Sequence, residues 1–112
     1  MLNESRIDIM FDALGDPTRR AIVALLGRGP RPAGALAEPL AISLPGVVQQ
    51  LRVLEGSGLI RTEKVGRTRV CHLEPAAFRT LEAWMVSRRQ QWERQFDRLG
   101  DVLADQKKEQ TG

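Results

Sequence analysis

Apolar positions recur along this chain mostly at the spacing of a helix and, over one short stretch, at the spacing of a strand. Ile7, Met10, Phe11 and Leu14 stand at i, i+3, i+4 and i+7, which predicts an amphipathic helix over residues 4–14. Gly15 ends it. Asp16 is placed to cap a second helix, with Pro17 in its first turn and Ile22, Leu25 and Leu26 on its buried face. Gly27 and Gly29 close that helix with Arg28 between them. GPRP then reads as a turn, and Pro32 starts a short third helix through Leu36. Pro39 should end it near Glu38, because the proline ring clashes with the preceding turn. Leu40 and Ile42 are assigned to the core. A longer helix follows from an N-cap at Ser43, with Pro45 in its first turn and Val47, Leu51 and Leu54 at i, i+4 and i+7. Gly56 and Gly58 stop it.

After Leu59 the period drops to two. RTEKV and TRVCHL alternate around Gly66-Arg67, a two-residue turn that suits type II′ with glycine first. Pro75 then opens a last helix. Leu81, Trp84, Met85, Trp92, Phe96, Leu99 and Leu103 hold a helical spacing to about Ala104. Thirty residues at ~1.5 Å rise extend roughly 45 Å, longer than a domain of this size is wide. Part of that stripe therefore lacks a partner within one chain, and two tryptophans on it point to a second subunit. The other reading folds the helix back on its own core. DQKKEQTG, residues 105–112, is a polar tail expected to fray.

The order of a short helix, a tight turn and a longer helix between Ala33 and Leu54 is that of a helix-turn-helix, and a hairpin directly after it is a wing. The longer helix turns Gly46, Gln49, Gln50 and Arg52 away from its apolar stripe. Two amides, a cation and a small residue suit base edges and phosphates in a major groove. An ordinary solvated helix face is the competing reading. Charge changes the picture. The 112 residues carry a formal +3 and a pI near 9.7. Between Ser43 and Arg79 there are six cations (Arg52, Arg61, Lys64, Arg67, Arg69, Arg79) against three anions (Glu55, Glu63, Glu74), so an excess equal to the whole chain's lies in that half. Arg67 and Arg69 stand at the wing's tip with Lys64 across the turn. Arg19 and Arg20, at the start of the second helix, are read equally well as phosphate contacts or as solvated surface.

Other chemistries find little support. One cysteine permits no intrachain disulfide and points to the cytoplasm. The N-terminus has no basic region followed by an apolar run, and no apolar stretch reaches the roughly 20 residues that span a bilayer. His72, the single histidine, is next to Cys71. Strand neighbours point to opposite faces, so the two make a poor chelate, and no metal is expected. Cys71 reads as a half-buried strand thiol, or else as a lone redox thiol near Arg69. No nucleophile has its own base, and no glycine-rich loop or carboxylate pair suggests a cofactor or an enzyme.

FDALGDPTRRAIVALL resembles the opening helices of the ArsR-type winged helix-turn-helix repressors of bacteria. ALAEPLAISLPGVVQQLRVLEGSGLIRTEKVGRTRVCHLEP is similar to their recognition unit and wing. The likeness runs from about Met10 to Pro75. DPTRR and the tryptophan-bearing last helix further resemble the subgroup without a metal site. The family often has Gln, Ser, a cation and His where this chain has Leu44, Val48, Gln49 and Gln50. Its usual turn glycine is Ala41 here, which costs about 1 kcal/mol if that site is left-handed. The resemblance implies a mainly helical α+β fold: a winged helix-turn-helix over residues 1–104, with a two-stranded wing and a long C-terminal dimerisation helix. It implies a homodimeric repressor on a palindromic double-stranded DNA operator. The residues expected at DNA are Ser43, Leu44, Pro45, Gly46, Gln49, Gln50, Arg52, Lys64, Arg67 and Arg69. Those expected at the dimer interface are Ile7, Met10, Phe11, Trp84, Met85, Trp92, Phe96, Leu99 and Leu103. The alternative is a helical protein-interaction module whose winged unit no longer reads an operator.

Overall fold

The computed structural model describes the backbone of residues 4–111 and the side chains of residues 5–107. Five α-helices and three strands follow in the order α1 (Glu4–Leu14), α2 (Pro17–Leu26), β1 (Arg31–Pro32), a 3-10 turn (Ala33–Leu36), α3 (Ala37–Leu40), α4 (Leu44–Gly56), β2 (Ile60–Val65), β3 (Thr68–Leu73) and α5 (Pro75–Thr111). The fold is the mainly helical winged helix-turn-helix expected. The chain divides into a compact unit up to Thr80 and a second unit, from Leu81 on, formed by the remainder of α5.

Local chemistry sets the helix ends. The Asp16 carboxylate accepts from the N–H of Arg19 at 3.1 Å, and Pro17 opens α2. The Ser43 hydroxyl accepts from the N–H of Gly46 at 3.1 Å, with Pro45 in the first turn of α4. At its other end α4 closes with Leu59 N–H on the Leu54 carbonyl and Gly58 N–H on that of Glu55, around Gly58 at φ +84°. This pair of bonds is a Schellman termination. The same pair ends α3: Ile42 N–H on the Ala37 carbonyl and Ala41 N–H on that of Glu38. Here the left-handed position, φ +55°, ψ +39°, is occupied by Ala41, whose Cβ crowds the following carbonyl.

Three expectations are corrected. Pro39 does not end its helix, which runs on to Leu40. The chain resets from 3-10 to α geometry at Ala37, so Pro39 falls in the first turn of α3, where an N–H has no intrahelical partner to lose. The wing sheet has three strands, not two, in the order β1-β3-β2. Arg31 pairs with Cys71 and Pro32 with Val70, and the proline is tolerated because β1 is an edge. Ile7 and Met10, expected at a subunit interface, are 2% and 0% exposed within the single chain. They belong to the core because α1 lays its stripe against α2 and α4. In addition, α5 continues past Ala104 to Thr111, since no proline or glycine interrupts the tail before Gly112.

The core of the first unit joins Ile7, Met10 and Ala13 of α1, Ile22 and Leu26 of α2, Leu36 of the 3-10 turn, Val47, Leu51 and Leu54 of α4, Leu59 of the loop after it, and Ile60 and Cys71 of the sheet. Complete burial of a side chain such as Leu54 contributes about 1.5–3 kcal/mol. The hairpin register is Ile60↔Leu73 through Val65↔Thr68. Of its two turn residues only Gly66, at φ +63°, has a positive φ, the pattern of a type II′ rather than a type I′ turn. Cys71 is wholly buried. Burial pushes its thiol pKa up; the Glu55 carboxylate pushes the same way, and the Arg69 guanidinium opposes. A neutral buried thiol is a poor nucleophile, so Cys71 is a packing residue and not a redox thiol.

Two outcomes follow from this packing. Replacing Ala41 with Gly should stabilise the protein by about 1 kcal/mol, read as a higher denaturant midpoint with an unchanged slope. Cys71 should resist an aromatic disulfide reagent in the native protein and react at once when unfolded. Its thiol pKa is raised on folding, so the stabilisation from keeping it neutral is complete below 9.0 and is lost as pH rises beyond that value. Denaturation series at increasing alkaline pH should show the loss in the parent and not in Cys71→Ala.

Candidate nucleic-acid interface

The face of α4 opposite its buried stripe is built from what Val47, Leu51 and Leu54 leave outside. Because those three turn inward, Leu44, Pro45, Val48, Gln49 and Arg52 turn outward together and line one open hollow. Leu44 is 49% exposed and Val48 37%. Gln49 and Arg52 are exposed, and among the described residues neither takes part in a hydrogen bond or ion pair. Gly46 is half-buried at the helix start. A Cβ there would meet the Ser43 hydroxyl at 3.2 Å, so a side chain would press on the cap. The hollow is thus three apolar groups, an amide and a cation. That set can touch a thymine methyl, a base edge and a phosphate.

Beside it runs a second groove, between α4 and the sheet, lined by Ala33, Val48, Leu51, Arg52, Glu55, Thr62 and Arg69. It is bridged. Arg69 Nη1 donates to the Thr62 hydroxyl at 2.7 Å, and that hydroxyl donates to the Glu55 carboxylate at 3.3 Å. The expected free cation at position 69 is therefore part of a tie that fastens the wing to α4. Thr62 lies on the same face of β2 as Lys64, two residues on, and alternation alone carries that signal. Its hydrogen-bonding role was not read from the sequence.

Lys64 pairs directly with Arg69 across the hairpin, and Arg67 stands in the turn. Lys64 and Arg67 are exposed and make no ion pair among the described residues. On the other face of the hairpin Arg61 is engaged by Glu74 at 2.9 Å and Glu63 at 3.3 Å, and His72 lies 3.6 Å from Glu63. These exposed pairs contribute little to stability but withdraw Arg61 from other partners. Among the described residues Arg52, Lys64, Arg67 and Arg69 near α4 are in no ion pair, and of these only Arg69 has a hydrogen bond, to a neutral hydroxyl.

Arg19 and Arg20 both donate to the end of α1. Arg19 Nε donates to the Ala13 carbonyl at 2.6 Å and Nη2 to that of Asp12 at 3.3 Å. Arg20 Nη1 donates to the Leu14 carbonyl at 2.7 Å. These are the last carbonyls of α1; Asp12 also accepts from the Gly15 N–H at 3.1 Å, and a cation there suits the negative end of the helix dipole. The third Arg19 bond, Nη1 to Oε1 of Gln50 at 2.9 Å, reaches across to α4. Gln50 is consequently half-buried and committed on one side, unlike Gln49. Among the described residues no three His, Cys, Asp or Glu side chains are grouped to hold a metal ion, and no helix is long and apolar enough to cross a membrane.

Residues 14–63 match the model of a helix-turn-helix domain. The HTH-type transcriptional regulator Rv2034 of Mycobacterium tuberculosis is 45% identical over 76 residues, covering 65% of this chain and 71% of that protein. The transcriptional repressor SdpR of Bacillus subtilis is 32% identical over 78 residues, 70% of this chain and 87% of that protein. The crystal structure of an ArsR family transcriptional regulator aligns with a TM-score of 0.74 at 41% identity, over 81% of this chain and 94% of that one. These relatives are regulators and not enzymes. On the likeness to these relatives the chain belongs to the ArsR family of winged helix-turn-helix transcriptional regulators.

Proposed function

We propose that the chain acts in the cytoplasm as a homodimeric repressor that reads a palindromic operator with α4 and grips it with the wing. The observation that carries this is the outward face of α4, where Leu44, Val48, Gln49 and Arg52 lie in one hollow with the Arg52 charge unpaired. The start of α4, Ser43 to Gly46, enters the major groove. Gln49 and Gln50 meet base edges, Leu44 and Val48 meet thymine methyls, and Arg52 meets phosphate. Lys64 and Arg67 reach the backbone beyond the groove, while Arg69 holds the wing in place for them. The similarity to a protein named as a repressor supports repression over activation.

The second copy docks on α5. Met85, Trp92, Phe96, Leu99 and Leu103 follow one another at steps of seven, four, three and four, the a/d seam of a coiled coil. Each is at least half exposed in the single chain, Phe96 by 71%. A two-fold dimer presents two recognition helices related by the same symmetry, which is why the operator is palindromic. Trp84, with the Arg88 guanidinium 5.3 Å from its ring centre, borders this seam. The direct test is selection of bound fragments from genomic DNA by the purified protein. A two-fold symmetric sequence should emerge; fragments recovered without any common sequence would refute the reading.

Two substitutions separate its parts. Trp92→Ala should leave the chain folded, because Trp92 is half exposed within it, yet raise the dimer dissociation constant by a hundredfold or more, about 3 kcal/mol. Analytical ultracentrifugation decides this, and a monomeric parent at micromolar concentration would end the proposal. Arg67→Ala should weaken specific and random DNA alike and flatten log affinity against log salt by roughly two units, since the change occurs twice in a dimer. A salt titration with an unaltered slope would leave the wing in solvent.

A further inference from the structure

Arg19 and Gln50 are 31 residues apart, and their contact is not needed to close the corner between α1 and α2, which Arg19 already does through the Asp12 and Ala13 carbonyls. What the contact changes is Gln50. A guanidinium has five donors and no acceptor, so the amide can face it only with its oxygen. The usual ambiguity between amide oxygen and nitrogen is removed by that chemistry. With Oε1 held at 2.9 Å by a permanent cation on the protein side, the amide NH2 is directed away from Arg19. The same cation polarises the amide and strengthens its N–H groups as donors. Gln49, one residue earlier, has no such restraint and can turn either end outward.

The geometry points to Arg19 as a specificity-determining positioning residue: by holding Oε1 of Gln50 on the protein side it presents the amide NH2 outward, so that Gln50 reads the paired acceptors of guanine in preference to adenine, which offers that group only N7 beside a repelling N6 amino group. This rests on α4 entering the major groove as proposed above. A free glutamine pairs with adenine by accepting from N6 and donating to N7. A glutamine reduced to its NH2 group fits guanine best, with acceptors at both O6 and N7, and tolerates thymine through O4. Adenine would bring its N6 amino group against another donor, and cytosine offers only a donor. Arg19 thus acts on the operator without touching it, through a motif whose other residues only shape a corner.

The experiment is selection from a randomised duplex library by the parent, Arg19→Met, Gln49→Ala and Gln50→Ala, with folding followed by circular dichroism. Gln50→Ala identifies the base pair read by that position. At this pair the parent should favour guanine or thymine over adenine by roughly tenfold or more, and in Arg19→Met the preference should fall below about threefold as adenine becomes acceptable. Preferences at pairs altered by Gln49→Ala should stay as they are in Arg19→Met, which a general loosening of the fold would not achieve. If Arg19→Met does not fold, Gln50→Glu serves. Its carboxylate still accepts from Arg19, so the melting temperature should hold, but it has no donor. The ratio of affinities for the selected site and for random DNA should then fall at least tenfold. A parent preferring adenine at the pair, an Arg19→Met preference identical to the parent's, or a Gln50→Glu ratio equal to the parent's would overturn the assignment while leaving operator reading intact. A parent that selects no sequence would overturn both.

Discussion

A helix that stops against its neighbours leaves its last carbonyls in need of donors, and in this protein that need falls at the end of α1. Three successive carbonyls, from Asp12, Ala13 and Leu14, are met by the guanidinium groups of Arg19 and Arg20 on the next helix. Asp16 and Pro17 start α2 at the distance that makes this possible. The bond to Ala13 is part-buried and those to Asp12 and Leu14 are exposed, and together they tie the end of α1 to the start of α2. With that tie made, α1 and α2 together form the surface on which Val47, Leu51 and Leu54 pack, and α4 is aimed. The DPTRR stretch is in this sense a joint. Both of its arginines donate to the end of α1.

The other end of the candidate interface is set by a longer tie. Glu55 on α4, Thr62 on β2 and Arg69 on β3 form a hydrogen-bonded line across the groove between helix and wing. One of the three wing cations is spent on this line, and Arg61 is neutralised by Glu63 and Glu74 on the opposite face. Arg52 at the helix and Lys64 and Arg67 at the tip keep their donors free among the described residues, beside the Arg69 charge that the line holds in place. Lys64 lies opposite Arg69 in the hairpin, a repulsive pairing that the Thr62 bond helps to relieve.

Polarity on α4 is distributed in a way that separates its two glutamines. Gln49 stands in the open hollow with Leu44 and Val48, where apolar contact and a freely turning amide are both on offer. Gln50 stands where α4 meets the α1–α2 corner, and its oxygen is claimed by the protein itself. Neighbouring residues of one type thus acquire different chemistry from the elements behind them. The last helix offers a contrast: the seam residues Met85, Trp92, Phe96, Leu99 and Leu103 are half exposed or more.

Elements whose causes lie within a few residues were legible in the chain. The caps at Asp16 and Ser43, the stripes of α1, α2 and α4, the glycine stop at Gly58 and the hairpin turn at Gly66 each depend on side chains no more than about four residues from the backbone they act on. Spacing reports such causes directly, and the outward position of Leu44, Gln49 and Arg52 follows from the inward one of Val47 and Leu51. Tertiary structure decided what partners at long separation supply. Arg31 and Pro32 become a strand only because Cys71 and Val70 lie alongside, and no alternation in GPRP announces it. Pro39 remains helical because the chain changes helix type two residues earlier. Ile7 and Met10 have the same spacing whether a helix packs on its own chain or on another, and only the position of α2 and α4 assigns them to the core. Arg19 carries five donors that sequence cannot direct. Their targets, two carbonyls behind it and an amide 31 residues ahead, are brought within reach by the packing of three helices.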